Sequence, residues 1–317
     1  MRPTGKLHLG HYVGALENWV NLQKDHDNFH LIADYHVLTT QHDTSEIRQN
    51  TLDMLLDWLA AGIDPGQSPI FRQSAVKEHT ELFLLLSMLV TSARLERNPT
   101  LKAQVRDLHL ENMSYGHLGY PVLQAADILL YRGEAVPIGE DQGPHVEIAR
   151  ELARRFNRLY GKVFPLPEAM LTKYSRLPGL HGKSKMSKSL NNVILMSDDP
   201  ATIAKRLKPA FTDPLKLRKH DPGRPDICLV FTYHTRFNSA GSGEIRSGCE
   251  SGRLGCVDCK VICATAIADV MQPVRERRKV YENRPADLMD ILLDGEQRAG
   301  EVARQTMGDV HDAMQLG

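Results

Sequence analysis

The stretch Arg2-Pro3-Thr4-Gly5-Lys6-Leu7-His8-Leu9-Gly10-His11 decides how the rest of the chain reads. Pro3 and Gly5 punctuate a turn. From His8 an apolar-periodic run continues through Val13, Leu16 and Val20, which predicts a helix. Gly10 lets a charged group approach the backbone. The free N–H groups and positive dipole end of that helix favour an anion. His8 and His11 lie three apart on one helical face and can donate to phosphate oxygens. Alone, such a pair is more often capping or core histidines. A distant second stretch, Lys185-Met186-Ser187-Lys188-Ser189, turns it toward chemistry.

The chain has 317 residues, enough for one or two domains with ample core. Lys+Arg and Asp+Glu are both 39, which argues against a protein that coats a bulk polyanion but allows a local basic surface. No apolar run approaches membrane-spanning length and no signal peptide is visible, so the expected location is the cytoplasm. Five cysteines in such a compartment are not expected to pair as disulfides, and all fall between Cys228 and Cys263.

Strands and helices alternate along the first half. Phe29–Ala33 reads as a strand ending in Asp34-Tyr35-His36, polar groups at the carboxyl edge where open α/β sheets bind ligands. Asp43-Thr44 can cap a helix from Ser45 to Ala61, stopped by Gly62. Pro69–Arg72 is a second strand, and Val76–Val90 a strongly apolar, buried helix. Arg94–His109 reads as a polar connection containing a helix, and Asn112–Gly119 as a loop. Tyr120–Tyr131 is a helix whose Tyr120, Gln124, Asp127 and Tyr131 share one face, as in a pocket wall. Ala135–Ile138 is a strand followed by Gly139-Glu140-Asp141-Gln142, and the next helix runs from about His145 to Tyr160. This alternation predicts a doubly wound parallel α/β sheet. Phe164–Gly182 is rich in proline and glycine and reads as a linker. Beyond Asp198 the chain is mainly helical, with a last helix around Pro285–Met314.

Lys185 and Lys188 are mobile point charges with three donors each. A reaction that expels pyrophosphate from ATP builds negative charge on the leaving group. Lysines on a closing loop stabilise that charge in the transition state. His8 and His11 would serve the same phosphates from the opposite side.

Together, His8-Leu9-Gly10-His11 and Lys185–Ser189 resemble the signature pair of class I aminoacyl-tRNA synthetases. Arg2–Gly5, Tyr120–Leu130 and Gly139–Gln142 make the chain similar to the bacterial tryptophan-specific branch along its whole length. The resemblance implies a Rossmann-like catalytic domain over residues 1–182 and a lysine loop over 183–192. It also implies a smaller, mainly helical anticodon-binding domain over 193–317, whose last helix packs back on the first. It implies L-tryptophan, ATP with Mg2+ and a tryptophan tRNA as partners, and a homodimer to which Val76–Val90 contributes.

Residue by residue, the resemblance assigns His8, His11, Lys185 and Lys188 to the ATP phosphates and the transition-state charge. Thr4, Gly10, Met186 and Ser187 complete the ATP site. Gly139 and Asp141 are the adenosine and ribose contacts. Asp127 is the acceptor for the indole N–H, Tyr120, Gln124 and Gln142 hold the ammonium and carboxylate of tryptophan, and Asp34 and His36 line the same pocket. In the family a central strand precedes Pro3, and many relatives have glutamine where Arg2 stands, so the natural chain is expected to begin upstream of Met1.

Cys228, Cys249, Cys256 and Cys259 have the spacing C-x20-C-x6-C-x2-C. Only one C-x-x-C is present, so a ribbon of two paired zinc knuckles is a poor match. Four thiolates suit structural Zn2+ or a [4Fe-4S] cluster. The arrangement resembles a subset of tryptophan-specific synthetases that carry a [4Fe-4S] cluster. Cys263, one turn after Cys259, reads as a helix residue. The basic segment Lys205, Arg206, Lys208, Lys216, Arg218 and Lys219 suits either tRNA phosphate or a solvated face. Two other readings compete: a tyrosine-specific synthetase of the same fold, and a catalytically idle relative kept as an iron–sulfur sensor or interaction protein.

Overall fold

The computed structural model describes residues 1–107, 112–139, 142–171, 177–182 and 184–316. Strand β1 (His30–Ile32) runs parallel to β2 (Ile70–Arg72), with Leu31 opposite Phe71. Strand β3 (Ala135–Ile138) runs parallel to β4 (Glu168–Leu171), with Val136 opposite Ala169. Parallel neighbours need a crossover. The helix Ile47–Ala61 supplies it for the first pair and Gly143–Tyr160 for the second. The expected parallel α/β arrangement is therefore present, as two strand pairs among the described residues.

β4 corrects one expectation, because it lies inside the stretch read as linker. Prolines and glycines flank Glu168–Leu171 without interrupting it, and four residues are too few for a clear alternation. The helix Glu78–Ser87 corrects another. His79, Leu82 and Leu86 are buried, but Leu84 and Met88 are 54% and 67% exposed. A segment apolar on every side does not reveal which face stays open. The loop expected up to Gly119 turns helical at Tyr115, where Ser114 Oγ caps His117 N–H.

The helix Ile47–Ala61 buries Met54, Leu55, Trp58 and Leu59. Burial of each such side chain contributes about 1.5–3 kcal/mol. Gly62 ends it at φ +113°, a left-handed conformation that favours glycine. The last helix, Pro285–Met314, lies against β2. At Gly295 there is no room for a Cβ beside the Ile70 backbone, and Arg72 pairs with Glu296 through two bonds of 2.5 and 3.0 Å. The C-terminal helices thus share a core with the first strands, in clusters that join Leu7 to Leu288 and Phe71 to Val310.

The opening segment is stitched to residues that follow the lysine loop. Leu9 N–H donates to Ile194 O at 2.9 Å, and Met196 N–H to Leu7 O at 3.0 Å. This pairing brings the two ends of the notional phosphate clamp together.

Candidate active site

His8 caps the helical turn Leu9–His11. Its Nδ1 accepts Gly10 N–H at 3.1 Å, and His11 Nδ1 accepts His8 N–H at 3.3 Å. Each ring therefore carries its proton on Nε2 and presents one free donor. Burial lowers the pKa of His8 to about 4, with Lys188 adding to the effect. Burial, then His8 and Lys188, lower His11 to about 3. Both rings are neutral near pH 7.

The loop faces them across Gly10. A Cβ on Gly10 would lie 3.0 Å from the His8 ring and 3.5 Å from Met186 Cβ, so glycine keeps the approach open. Met186 is buried, whereas Lys185 is exposed. Lys188 is half-buried and donates Nζ to Thr4 O and, at 3.1 Å, to Lys6 O. Burial lowers its pKa. Asn192, fully buried, shapes the loop: its Oδ1 accepts Ser187 N–H at 2.7 Å and its Nδ2 donates to Lys185 O at 3.3 Å.

A second centre lies where the carboxyl ends of β1 and β2 meet the helix Tyr115–Leu129. Asp127 Oδ2 is 2.7 Å from His36 Nε2. Its Oδ1 accepts from Gln73 Nε2 at 2.7 Å and lies 2.8 Å from His79 Nδ1. Burial works against the charge, but His36 and His79 outweigh it and hold the carboxyl well below the usual range. Asp34 is fixed by Ser74, from N–H at 2.9 Å and from Oγ.

Tyr120 OH lies 2.9 Å from His145 Nε2, and burial pushes its pKa up to about 12. Gln124 is half-buried on the same helix, and Gln142 heads the helix Gly143–Tyr160, its N–H bonded to Gly139 O at 3.0 Å. Asp141 lies outside the described residues.

Three helix ends carry the cysteines. Cys228 precedes Leu229–Phe237, Cys249 lies near the end of Ser242–Glu250, and Cys256 and Cys259 open Cys256–Glu282. Burial, then the neighbouring Cys228, Cys249 and Cys256, push Cys259 up to about 12. Burial also raises Cys249, against Lys216 and with Cys228 and Cys256. Among the described residues no group of three or more His, Cys, Asp or Glu is arranged to hold a metal ion. Cys263 is a buried helix residue, as expected.

Sequence reasoning does not single out Gln73, Ser74, His79 or Asn192. Gln73 and Ser74 follow β2 as Asp34 and His36 follow β1, so the carboxyl-edge rule could have found them. An asparagine in a polar loop carries no such signal. In the basic segment, Lys216 is buried and donates to the carbonyls of Asp221 and Lys219, so it does not face solvent.

The parallel α/β frame, with an imidazole pair facing a lysine loop, falls in residues 1–272, which match the family described as tRNA synthetases class I (W and Y), to which the chain belongs. Within it, the chain is 46% identical to the tryptophan–tRNA ligase of Thermotoga maritima over 321 residues, covering 100% of this chain and 98% of the relative. It is 42% identical to the tryptophan–tRNA ligase of Aquifex aeolicus, again covering 100% and 98%. The crystal structure of tryptophanyl-tRNA synthetase from Campylobacter jejuni, complexed with ADP and tryptophan, superposes with TM-score 0.89 at 33% identity, covering 100% and 98%.

Proposed function

We infer that this chain is a tryptophan–tRNA ligase. It activates L-tryptophan with Mg2+·ATP and passes the tryptophanyl group to its tRNA. In the first step a carboxylate oxygen of tryptophan attacks the α-phosphorus. The bond from that phosphorus to the bridging oxygen breaks, and pyrophosphate leaves. The carboxylate is already ionised, so no general base is needed, and positioning and charge stabilisation supply the catalysis. In the second step the terminal ribose hydroxyl of the tRNA attacks the acyl carbon and AMP leaves. The work belongs to the cytoplasm.

The observation that carries this reading is the opposition of His8 and His11 to the lysine loop across Gly10. Two neutral imidazoles donate Nε2–H to the ATP phosphates, and Lys185 and Lys188 take up the charge that develops. Thr4, Gly10, Met186 and Ser187 shape the same site, and Gly139 with Asp141 takes adenosine and ribose. Asp127 has about four lone-pair positions. His36 takes one on Oδ2 and Gln73 one on Oδ1, where His79 Nδ1 also lies 2.8 Å away, and the open position on Oδ2 suits the indole N–H. Tyr120, Gln124 and Gln142 hold the ammonium and carboxylate, while Asp34 and His36 line the pocket. The catalytic part spans residues 1–182, the loop 183–192 and the anticodon-binding part 193–317. The open face around Leu84 and Met88 suits contact between two copies.

In this reading Cys228, Cys249, Cys256 and Cys259 would hold a [4Fe-4S] cluster, although the described residues do not themselves arrange three or more ligands for a metal ion. Two of the four precede or open a helix N-terminus, whose dipole favours anionic thiolate. A Cβ on Gly223 would lie 2.5 Å from Cys249 Sγ, so glycine leaves that sulfur space. The cluster would tie the three helix ends together.

The test is amino-acid-dependent pyrophosphate exchange, with tryptophan against tyrosine, together with tRNA charging. Exchange with tryptophan and not tyrosine is expected. Exchange with tyrosine alone, or none with either, would overturn the reading.

A further inference from the structure

Asp57 lies in the middle of the helix Ile47–Ala61 with 0% exposure. Its Oδ2 accepts Leu7 N–H at 2.6 Å, and its Oδ1 accepts from Arg278 Nη1. Arg278, 4% exposed, belongs to the helix Cys256–Glu282 and is held further by Glu282 Oε1 at 2.8 Å. Asp53 Oδ1 lies 3.8 Å from its Nη2. Desolvation roughly cancels the attraction in a buried ion pair, so stability alone does not account for this one.

Its placement offers another reason. Leu7 immediately precedes His8. On the opposite edge, Leu7 O accepts Met196 N–H at 3.0 Å. Lys188 Nζ grips the carbonyls of Thr4 and Lys6, on the same segment. The negative charge of Asp57 also favours the ammonium form of Lys188. The segment is therefore clamped between Asp57 on one side and the return of the lysine loop on the other. A slip of Leu7 would move the His8 ring and the oxygens that seat Lys188 together.

We propose that Asp57 is a positioning residue for the adenylation site, and that Arg278 anchors it from the C-terminal helices, so that a shift of the helix Cys256–Glu282 is felt at His8 and Lys188. This rests on the phosphate-clamp reading given under Proposed function. Asp57 touches neither substrate nor reacting atoms; it acts through the backbone of Leu7.

The test uses the full chain and tryptophan-dependent pyrophosphate exchange, with kcat, both KM values and the melting temperature measured for each variant. Asp57→Leu combined with Arg278→Met removes the buried pair together, a change that folds tolerate, and the carboxylates it frees, Glu282 and Asp53, both reach solvent. It also leaves Leu7 N–H without its acceptor. A kcat lowered about tenfold or more is expected, because small displacements of reacting groups carry large rate penalties. The KM for tryptophan should stay within about twofold, since the indole pocket does not touch Asp57. A folded double variant with wild-type kcat would overturn the proposal. Should that variant fail to fold, Asp57→Ala decides, since it removes the acceptor of Leu7 N–H and leaves Arg278 on Glu282. A lowered kcat with unchanged KM for tryptophan supports positioning. A wild-type kcat, or kcat and both KM values moving together with a lowered melting temperature, overturns it. His8→Ala and Lys188→Ala serve as controls. If they leave exchange intact, the clamp reading itself fails; if they abolish it while the Asp57 variants do not, only the positioning role falls.

Discussion

His8 and His11 face each other with ring centroids 3.8 Å apart, and the Nδ1 of each already accepts a backbone N–H. That relationship settles two things about the pair. The proton of each neutral ring is on Nε2, and burial beside lysines keeps both rings neutral. They offer directed hydrogen bonds, and the positive charge of the site comes from Lys185 and Lys188.

Those lowered pKa values predict an acid sensitivity. An unfolded histidine titrates near 6.5, whereas His8 and His11 titrate at about 4 and about 3 in the fold. As pH falls below about 6.5 the unfolded chain takes up protons that the folded chain refuses, so stability falls until the folded values are reached. Above about 6.5 both states are neutral and the contribution is constant. The wild-type melting temperature should therefore drop between pH 6.5 and 4. His8→Asn combined with His11→Asn should make that slope shallower, the remainder coming from His30, which burial lowers to about 3, and an unchanged slope would count against the assignment. Each single variant should also lower kcat of exchange roughly 10²-fold, the scale for one lost transition-state donor.

Asp127 gathers His36, Gln73 and His79 within 2.8 Å. Asp127→Ala would leave these buried groups without their acceptor, at about 1–3 kcal/mol each, so a large loss of stability is expected. Asp127→Asn keeps the shape and gives a cleaner reading. It should raise KM for tryptophan strongly while kcat changes less, because indole binding is made before and during the reaction. Exchange with tryptophan at wild-type KM would remove Asp127 from the indole site.

Gly179 and Asn192 lock the lysine loop. A Cβ on Gly179 would collide with Asn192 Nδ2, and Asn192 Oδ1 holds Ser187 N–H at 2.7 Å. Gly179→Ala should push Asn192 aside and release Ser187. Exchange should then show a lower kcat and little change in tryptophan KM if the loop serves phosphate, as proposed. Asn192→Asp keeps the acceptor but loses the donor to Lys185 O, and a milder loss is expected. Equal activity of both variants with wild type would show that the loop needs no such lock.

Much of this site is legible in the sequence alone. His8 and His11 suit capping or core roles until Lys185 and Lys188 are set against them, and Asp127 stands on a polar helical face with Tyr120, Gln124 and Tyr131, so the roles of all five rest on the resemblance of these stretches to the family. Pro285–Met314 is equally legible, since proline starts it and helical periodicity sustains it. What stays hidden depends on distant partners. Asn192 is polar in a polar loop until Gly179 is laid against it. Asp57 does leave a trace, a carboxylate among Leu55, Leu56, Trp58 and Leu59, but only Leu7 and Arg278 give it a meaning. β4 escapes notice because parallel pairing with β3 is a long-range event, invisible in four residues.

The cysteine group yields the last prediction. Anaerobically purified protein should be brown, with about four iron and four sulfide per chain, as a cubane on four thiolates requires. A colourless sample containing about one zinc would replace iron by structural zinc. Cys256→Ser should lose the colour and lower the melting temperature, because Cys256 opens the helix whose first turn also carries Cys259. The group lies among the C-terminal helices, and none of its cysteines bonds to His8 or Asp127 among the described residues. Cys256→Ser should therefore depress tRNA charging more than pyrophosphate exchange. The ratio of the two rates isolates the effect from any loss of folded protein, which scales both alike. A variant that loses colour yet keeps the wild-type ratio would leave the cluster a purely structural tie, with no part in presenting the helices to tRNA.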